Sequence, residues 1–172
     1  MRENLEIVTD RLLIKLIGLE YKDDIFREFT KEVARFLIPQ PTGEIIDTVN
    51  FIDQSRKNSL AGSDLQLIVL DRKNGEFLAC VGIHAPDTKV PELGLWFKKS
   101  AWGKGYGKES MAALKAWIES NLDYEKIRYP VFKENIASRK IIESLGGKLF
   151  KESLVKNQNG EELIELEYFI AR

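Results

Sequence analysis

The sequence predicts a single α/β domain. Its core is a mixed, mostly antiparallel sheet of six to seven strands flanked by helices. Three observations lead there. β-rich and helical segments follow one another in the order βααβββαβαββ, with no composition shift or linker that would mark a boundary. The three central strands form an antiparallel meander, because Asn74-Gly75 is a hairpin turn signal between two apolar runs. The third of these strands then feeds a glycine loop and a helix within the single stretch Glu92–Glu109, ELGLWFKKSAWGKGYGKE.

Taken in order, Arg11 to Ile17 is the first strand, apolar and β-rich. Tyr21 to Phe29 is a helix with Tyr21, Ile25, Phe26 and Phe29 on one face and Asp23 and Asp24 in its first turn. A short piece from Glu32 to Ile38 stops at Pro39 and Pro41. Thr42 is placed to cap a second helix, Gly43 to Lys57, whose apolar stripe is Ile45, Ile46, Val49 and Ile52. Leu65–Leu70 and Phe77–His84 are the hairpin strands, and Glu92 opens the third. The helix after the glycines carries Met111, Leu114, Trp117 and Ile118 at helical spacing. Lys126–Phe132 is another strand, and Pro130 inside it predicts an edge, a bulge or a splayed end. Asn135 caps a helix that ends at Gly146-Gly147. A last hairpin, Lys148–Val155 and Glu162–Ile170, turns at Asn159-Gly160.

Composition excludes several classes. The chain has 172 residues, 44% apolar and 31% charged, with a net charge of −1, so nothing draws it globally to nucleic acid or to an acidic membrane. One cysteine, Cys80, rules out an internal disulfide framework and fits a reducing compartment; Cys80 itself is expected to be a small core hydrophobe. No apolar run is long enough to span a bilayer, and the first residues lack the apolar core of a secretion signal, so the expected location is cytoplasmic. No His, Cys and carboxylate cluster has metal spacing, and no metal is expected. His84, the only histidine, is expected to be structural.

The glycine loop carries the chemistry. Gly103, Gly105 and Gly107 recur at every second position just before a helix, whose first N–H groups have no intrahelical partner. Those donors and the helix dipole make a site for phosphate or pyrophosphate, and Lys98, Lys99, Lys104 and Lys108 gather around it. This is not a P-loop, since Glu109 follows Lys108 where Ser or Thr is needed. Nor is it a dinucleotide fingerprint, because it follows an antiparallel meander in mid-chain rather than opening a parallel βαβ unit.

Strand, Trp102-Gly103-Lys104-Gly105-Tyr106-Gly107, helix, strand and then Asn135-x-x-Ser138 resemble the GNAT superfamily of acyl-CoA N-acetyltransferases. The branch is the one typified by ribosomal-protein N-terminal (alanine) acetyltransferases. Thr9-Asp10-Arg11-Leu12 is similar to that branch's T-E-R-L opening, and Glu92-Leu93-Gly94-Leu95-Trp96 to its E-I-G-Y-W strand. The resemblance implies a GNAT fold whose fourth and fifth strands splay to admit the pantetheine arm of acetyl-CoA. It places the arm on strand groups of Leu95, Trp96 and Phe97. The pyrophosphate falls on the Trp102, Gly103, Lys104, Gly105, Tyr106, Gly107 and Lys108 stretch, and Asn135 and Ser138 form the far wall. Trp102 stands where the wider superfamily has Gln or Arg, as is common in this branch. Ile142 stands where many members have a general-acid tyrosine, which leaves Ser138, or else an ordered water, as the substitute donor to the leaving thiolate.

Acetyl transfer also needs a neutral amine, an N–H donor for the tetrahedral oxyanion and a base. Glu92 is the candidate base, with an ordered water as the alternative, and the Phe97 N–H is the expected oxyanion donor. The implied activity is acetyl transfer from acetyl-CoA to a primary amine in a ternary complex; the alternative is a non-catalytic acyl-CoA sensor on the same fold. The acceptor, a peptide N-terminus, amino sugar, polyamine or drug, stays open, and both monomer and homodimer are compatible. Its cleft is expected along Phe29–Gln54, with Phe36, Ile38, Pro39 and Gln40, and near Gln158.

Overall fold

The computed structural model describes residues 5–158 and 160–172. An open sheet of eight strands runs in the order β1-β2-β3-β4-β5-β6-β8-β7. The strands are β1 Glu6–Val8, β2 Leu12–Leu16, β3 Asp64–Asp71, β4 Phe77–His84, β5 Glu92–Phe97, β6 Lys126–Phe132, β7 Lys148–Lys156 and β8 Glu162–Ala171. The helices are α1 Lys22–Glu28, α2 Ile45–Ala61, α3 Tyr106–Asn121 and α4 Ile136–Ser144. Every strand contact is antiparallel except β5 with β6, where α3 makes the crossover that a parallel pair requires. The strand beyond the expected count is β1, three residues that pair with β2 and are too short to show a period.

Two cores lie on the two faces. Leu65, Leu67, Val81, Ile83 and Leu93 alternate onto the face covered by α3 and α4, with Met111, Leu114 and Ile142. Ile68, Leu70, Cys80 and Trp96 take the other face, under Ile25 of α1 and Ile52 of α2. Cys80 is fully buried there, as a small apolar residue would be, and burial pushes its thiol up.

The second helix departs from expectation at its start. It begins at Ile45 with Glu44 as a cap residue that makes no side-chain bond, while the Thr42 hydroxyl accepts the Glu44 N–H at 3.2 Å in a local turn. Ile45 and Ile46 are exposed, and Ile52 is the residue of the stripe that reaches the core. The helix runs to Ala61 and stops on Gly62 in the left-handed conformation. α4 follows its expectation: the Asn135 side chain accepts the Ser138 N–H. In the last hairpin, Asn159 lies outside the described residues, and Gly160 has φ +79°.

Candidate active site

β5 and β6 form a V. They pair only at Glu92↔Arg128, reinforced by the Arg128 N–H donating to the Pro91 carbonyl at 2.9 Å. Beyond that point each strand keeps its outer neighbour, β4 for β5 and β8 for β6, but not the other. Pro130 stands on the parted stretch of β6, paired with Glu167 of β8, where a missing N–H costs no β5–β6 bond. The narrow end of the V is at Glu92 and Arg128. The wide end opens at Phe97, directly before the glycine loop.

That loop is built from two kinds of glycine. Gly103 and Gly105 have φ of +72° and +79°, in the left-handed region that other residues resist. Gly107 lies inside the first turn of α3, where an added Cβ would come within 2.8 Å of Ile141 Cδ1 on α4. It lets the two helices approach. The N–H groups of Tyr106, Gly107 and Lys108 lie in the first turn, without carbonyl partners in the helix. Lys104 and Lys108 are exposed beside them, whereas Lys98 and Lys99 are drawn off to Glu76 and Glu32. The Trp102 indole N–H donates to the Phe97 carbonyl at 2.8 Å and ties the loop back to the end of β5.

A clamp from the N-terminal segment holds the loop. Glu109 accepts from the Thr9 hydroxyl at 2.6 Å, the Arg11 backbone N–H at 3.1 Å and Arg11 Nε at 2.7 Å. Arg11 Nη1 also donates to the Lys104 carbonyl at 3.0 Å, and the guanidinium lies 4.6 Å over the Tyr106 ring. Burial pushes the Glu109 carboxyl up, but the Thr9 and Arg11 hydrogen bonds outweigh it and leave the group below its ordinary range. Thr9 and Arg11 thus act together on the glycine turn.

A cavity of about 790 Å³ runs through the V. On its α4 side, the Tyr129 hydroxyl lies 2.6 Å from Ser138 Oγ, and both groups are buried. Burial pushes the Tyr129 hydroxyl up to about 12, against the opposing Ser138 bond, so it is a neutral donor at neutral pH. Ile142 is fully buried in the α3/α4 core. The tyrosine in the V therefore comes from β6 rather than from α4.

On the opposite face the cavity widens into a chamber. Its walls are Phe26 of α1 and Phe29 just past its end, Phe36 and Ile38 of the connection to α2, and Phe51 of α2. The Trp96 side chain points here, with its ring 5.1 Å from Phe29 and 5.9 Å from Phe77. The Gln40 side chain donates to the Ala34 and Leu37 carbonyls, and its backbone N–H donates to Gln158 Oε1 at 3.1 Å, pinning the wall to the β7–β8 turn. Every segment expected to line the acceptor cleft meets at this chamber or at its rim.

The chamber floor carries charge. Arg128 holds Glu92 at the narrow end, donates to Glu167 at 2.8 Å and lies 3.7 Å from Glu165. Burial and the neighbouring Glu92 and Glu167 charges raise the Glu165 carboxyl, against the pull of Arg128. His84 lies beside Glu92 on β4 and also lines the cavity, with Nδ1 at 2.6 Å from Asp64 Oδ1. Sequence reasoning singled out Glu92 and Ser138 but not Tyr129, Asp64, Arg128 or Glu165, and it gave His84 a structural role. Gly82 and Gly94, inside strands, were the available signal of a close approach.

The acetyltransferase (GNAT) domain family matches residues 11–148. The chain belongs to that family. An uncharacterized N-acetyltransferase, p20, from Bacillus licheniformis is 23% identical over 154 residues, covering 88% of this chain and 85% of that protein. Uncharacterized protein MJ1062 from Methanocaldococcus jannaschii is 32% identical over 166 residues, but this chain spans only 33% of its length. Among solved structures, RimL, a ribosomal L7/L12 alpha-N-protein acetyltransferase in complex with coenzyme A, has a TM-score of 0.87 at 17% identity, with 97% of this chain and 98% of that one covered. The microcin C7 self-immunity acetyltransferase MccE, in complex with acetyl-CoA and AMP, gives 0.85 at 16% identity over 95% and 94%. These two share the GNAT fold with this chain. Among the described residues no helix is long and apolar enough to cross a membrane, and no group of three or more His, Cys, Asp or Glu could hold a metal.

Proposed function

We propose that this protein transfers an acetyl group from acetyl-CoA to a primary amine, directly, in a ternary complex. The observation that carries the reading is the V itself. Strand groups are left unpaired between β5 and β6, an anion-binding turn stands at the wide end, and one cavity reaches both faces. Backbone groups of Leu95 and Phe97, on the β6 side of the strand, bond the pantetheine amides by strand addition, while those of Trp96 between them face β4. The turn from Trp102 and Gly103 to Lys108 takes the pyrophosphate. Asn135 fixes Ser138 at the start of α4, and Ser138 with Tyr129 donates to the departing thiolate. Glu92 enters as a charge at the narrow end, its carboxylate held by Arg128.

The chamber narrows the acceptor. Phenylalanines and Ile38 surround it, so the favoured acceptor is a primary amine on an apolar body, either a small molecule or a peptide with an apolar first residue. A polyamine or amino sugar would have to lay its polar groups along these apolar walls, although Glu44, Asp47 and Glu165 on the same lining offer some of them partners.

The test is a panel containing phenethylamine, hexylamine, a Phe-initiated peptide, spermidine and glucosamine, with thiol release as the readout. Apolar amines should exceed the polar ones by about tenfold or more in kcat/KM, since each well-placed apolar contact is worth roughly 1–3 kcal/mol. Faster turnover of spermidine or glucosamine would refute the acceptor class. A second reading, an acyl-CoA-binding module without turnover, draws on Ile142 standing where a general-acid tyrosine is usual. Acetyl-CoA binding with no thiol release on any amine would favour it.

A further inference from the structure

Two strand-interior glycines make room for one imidazole. A Cβ on Gly82 would lie 2.7 Å from His84 Nε2, and one on Gly94 would lie 3.0 Å from it. The ring therefore rests across β4 and β5 at the chamber floor, next to the last β5–β6 pair. A carboxylate only accepts, so His84 Nδ1–H donates to Asp64 at 2.6 Å, and the Nε2 lone pair is left for the cavity. Burial lowers the affinity of this ring for a proton, but the Asp64 hydrogen bond and the charges of Asp64 and Glu92 outweigh it and raise the pKa above its ordinary value. The charged groups facing it are Asp64 from β3 and Glu92 from β5. Arg128 of β6 and Glu165 of β8 lie beyond Glu92, and Lys31, Glu44 and Asp47 line the same cavity from the helical side.

We infer that His84 is the catalytic base, with Nε2 taking a proton from the acceptor ammonium and Asp64 acting as the residue that positions it. This rests on the acetyltransferase reading above. With the phosphates at the wide end of the V, the arm runs back along β5 and its thioester lies near the narrow end, beside Gly94 and His84. One N–H proton of the ammonium passes to Nε2, and the freed lone pair forms the C–N bond. The C–S bond then breaks with its electron pair on sulfur, and a second N–H proton ends on the thiolate. The imidazolium returns its proton to water. Glu92 is less suited to this step because Arg128 occupies its carboxylate. The two catalytic ends then lie on opposite faces of the sheet, the base under α1 and α2 and the thiolate donor beside α4.

Since His84 is the only histidine, its ring gives an isolated NMR signal. In the wild-type protein that signal should titrate above about 6.5 and shift when acetyl-CoA is added. Asp64→Asn should lower the titration midpoint and move the acidic rise of kcat/KM to lower pH by the same amount. This coupled shift would not follow from a purely structural role. His84→Gln should lower kcat by roughly 10²-fold or more on the best amine of the panel, with acetyl-CoA affinity within about threefold. Turnover within threefold of wild type in His84→Gln, or a pH–rate profile that does not follow the NMR midpoint in Asp64→Asn, overturns the role of His84 alone. No heat on titrating acetyl-CoA into wild-type protein overturns the cofactor reading and this role with it.

Discussion

The two ends of the V work by different means. At the wide end the chemistry resides in the backbone: N–H groups of consecutive residues, two left-handed glycines and a helix start. At the narrow end it resides in side chains: His84, Asp64, Glu92, Arg128 and Glu165, brought from five different strands. A backbone site tolerates many side chains but is sensitive to any group that blocks or repels its anion. A side-chain site depends on each identity and on the register that assembles it. The difference predicts that substitutions at the wide end change binding, and those at the narrow end change turnover.

The largest effect tests the wide end. Gly107→Asp puts a carboxylate in the first turn of α3. There it suits the helix dipole and displaces only the flexible end of Ile141, so the fold should hold. It also places negative charge at the proposed phosphate site. Acetyl-CoA affinity should fall by about 10²-fold or more by calorimetry, with the thermal midpoint nearly unchanged. Wild-type affinity in a folded Gly107→Asp variant would remove the turn from the cofactor site.

The next effect separates binding from turnover. Ser138→Ala removes the hydroxyl that Tyr129 meets at 2.6 Å, and Tyr129→Phe removes the other partner. Each should lower kcat by about 10- to 100-fold while leaving acetyl-CoA affinity within about threefold, as for a donor that acts on the departing thiolate. The double variant should be little worse than either single one, because the two hydroxyls act as a unit. Additive losses would show that they act separately.

The same contrast explains what the sequence made legible. The glycine loop, the α4 cap at Asn135 and the hairpin at Asn74-Gly75 are local, so their residue types reveal them. The V was expected only through resemblance, although Pro130 was a physical hint of it, correctly read as compatible with a splayed end. The narrow end was opaque for a different reason. Asp64, His84, Glu92, Arg128 and Glu165 become neighbours through strand register, which spacing along one chain does not display. A lone histidine near a strand end gives no sign of its Asp partner twenty residues away. The start of α2 failed on local competition: Thr42 made its own turn with Glu44 instead of capping the helix.

The smallest expected effect concerns the clamp joining the N-terminal segment to the wide end. Glu109 has a folded pKa below its unfolded one because Thr9 and Arg11 bond its charged form. Such a group contributes stability above the unfolded pKa and loses it as pH falls through the folded pKa. The clamp should therefore be intact at neutral pH and release only in acid, below the ordinary carboxyl range. Glu109→Gln keeps the shape but removes the charge that orients Arg11, so it should reproduce the acid behaviour at neutral pH. Acetyl-CoA affinity should weaken several-fold, and hydrogen exchange should quicken at Lys104 to Lys108 but not in β3 or β4. kcat on the bound complex should stay within about twofold, because the clamp touches the turn and not the narrow end. Loss of kcat with unchanged affinity would place the clamp on the wrong side of the comparison and would mean that the two ends of the V are coupled through β5.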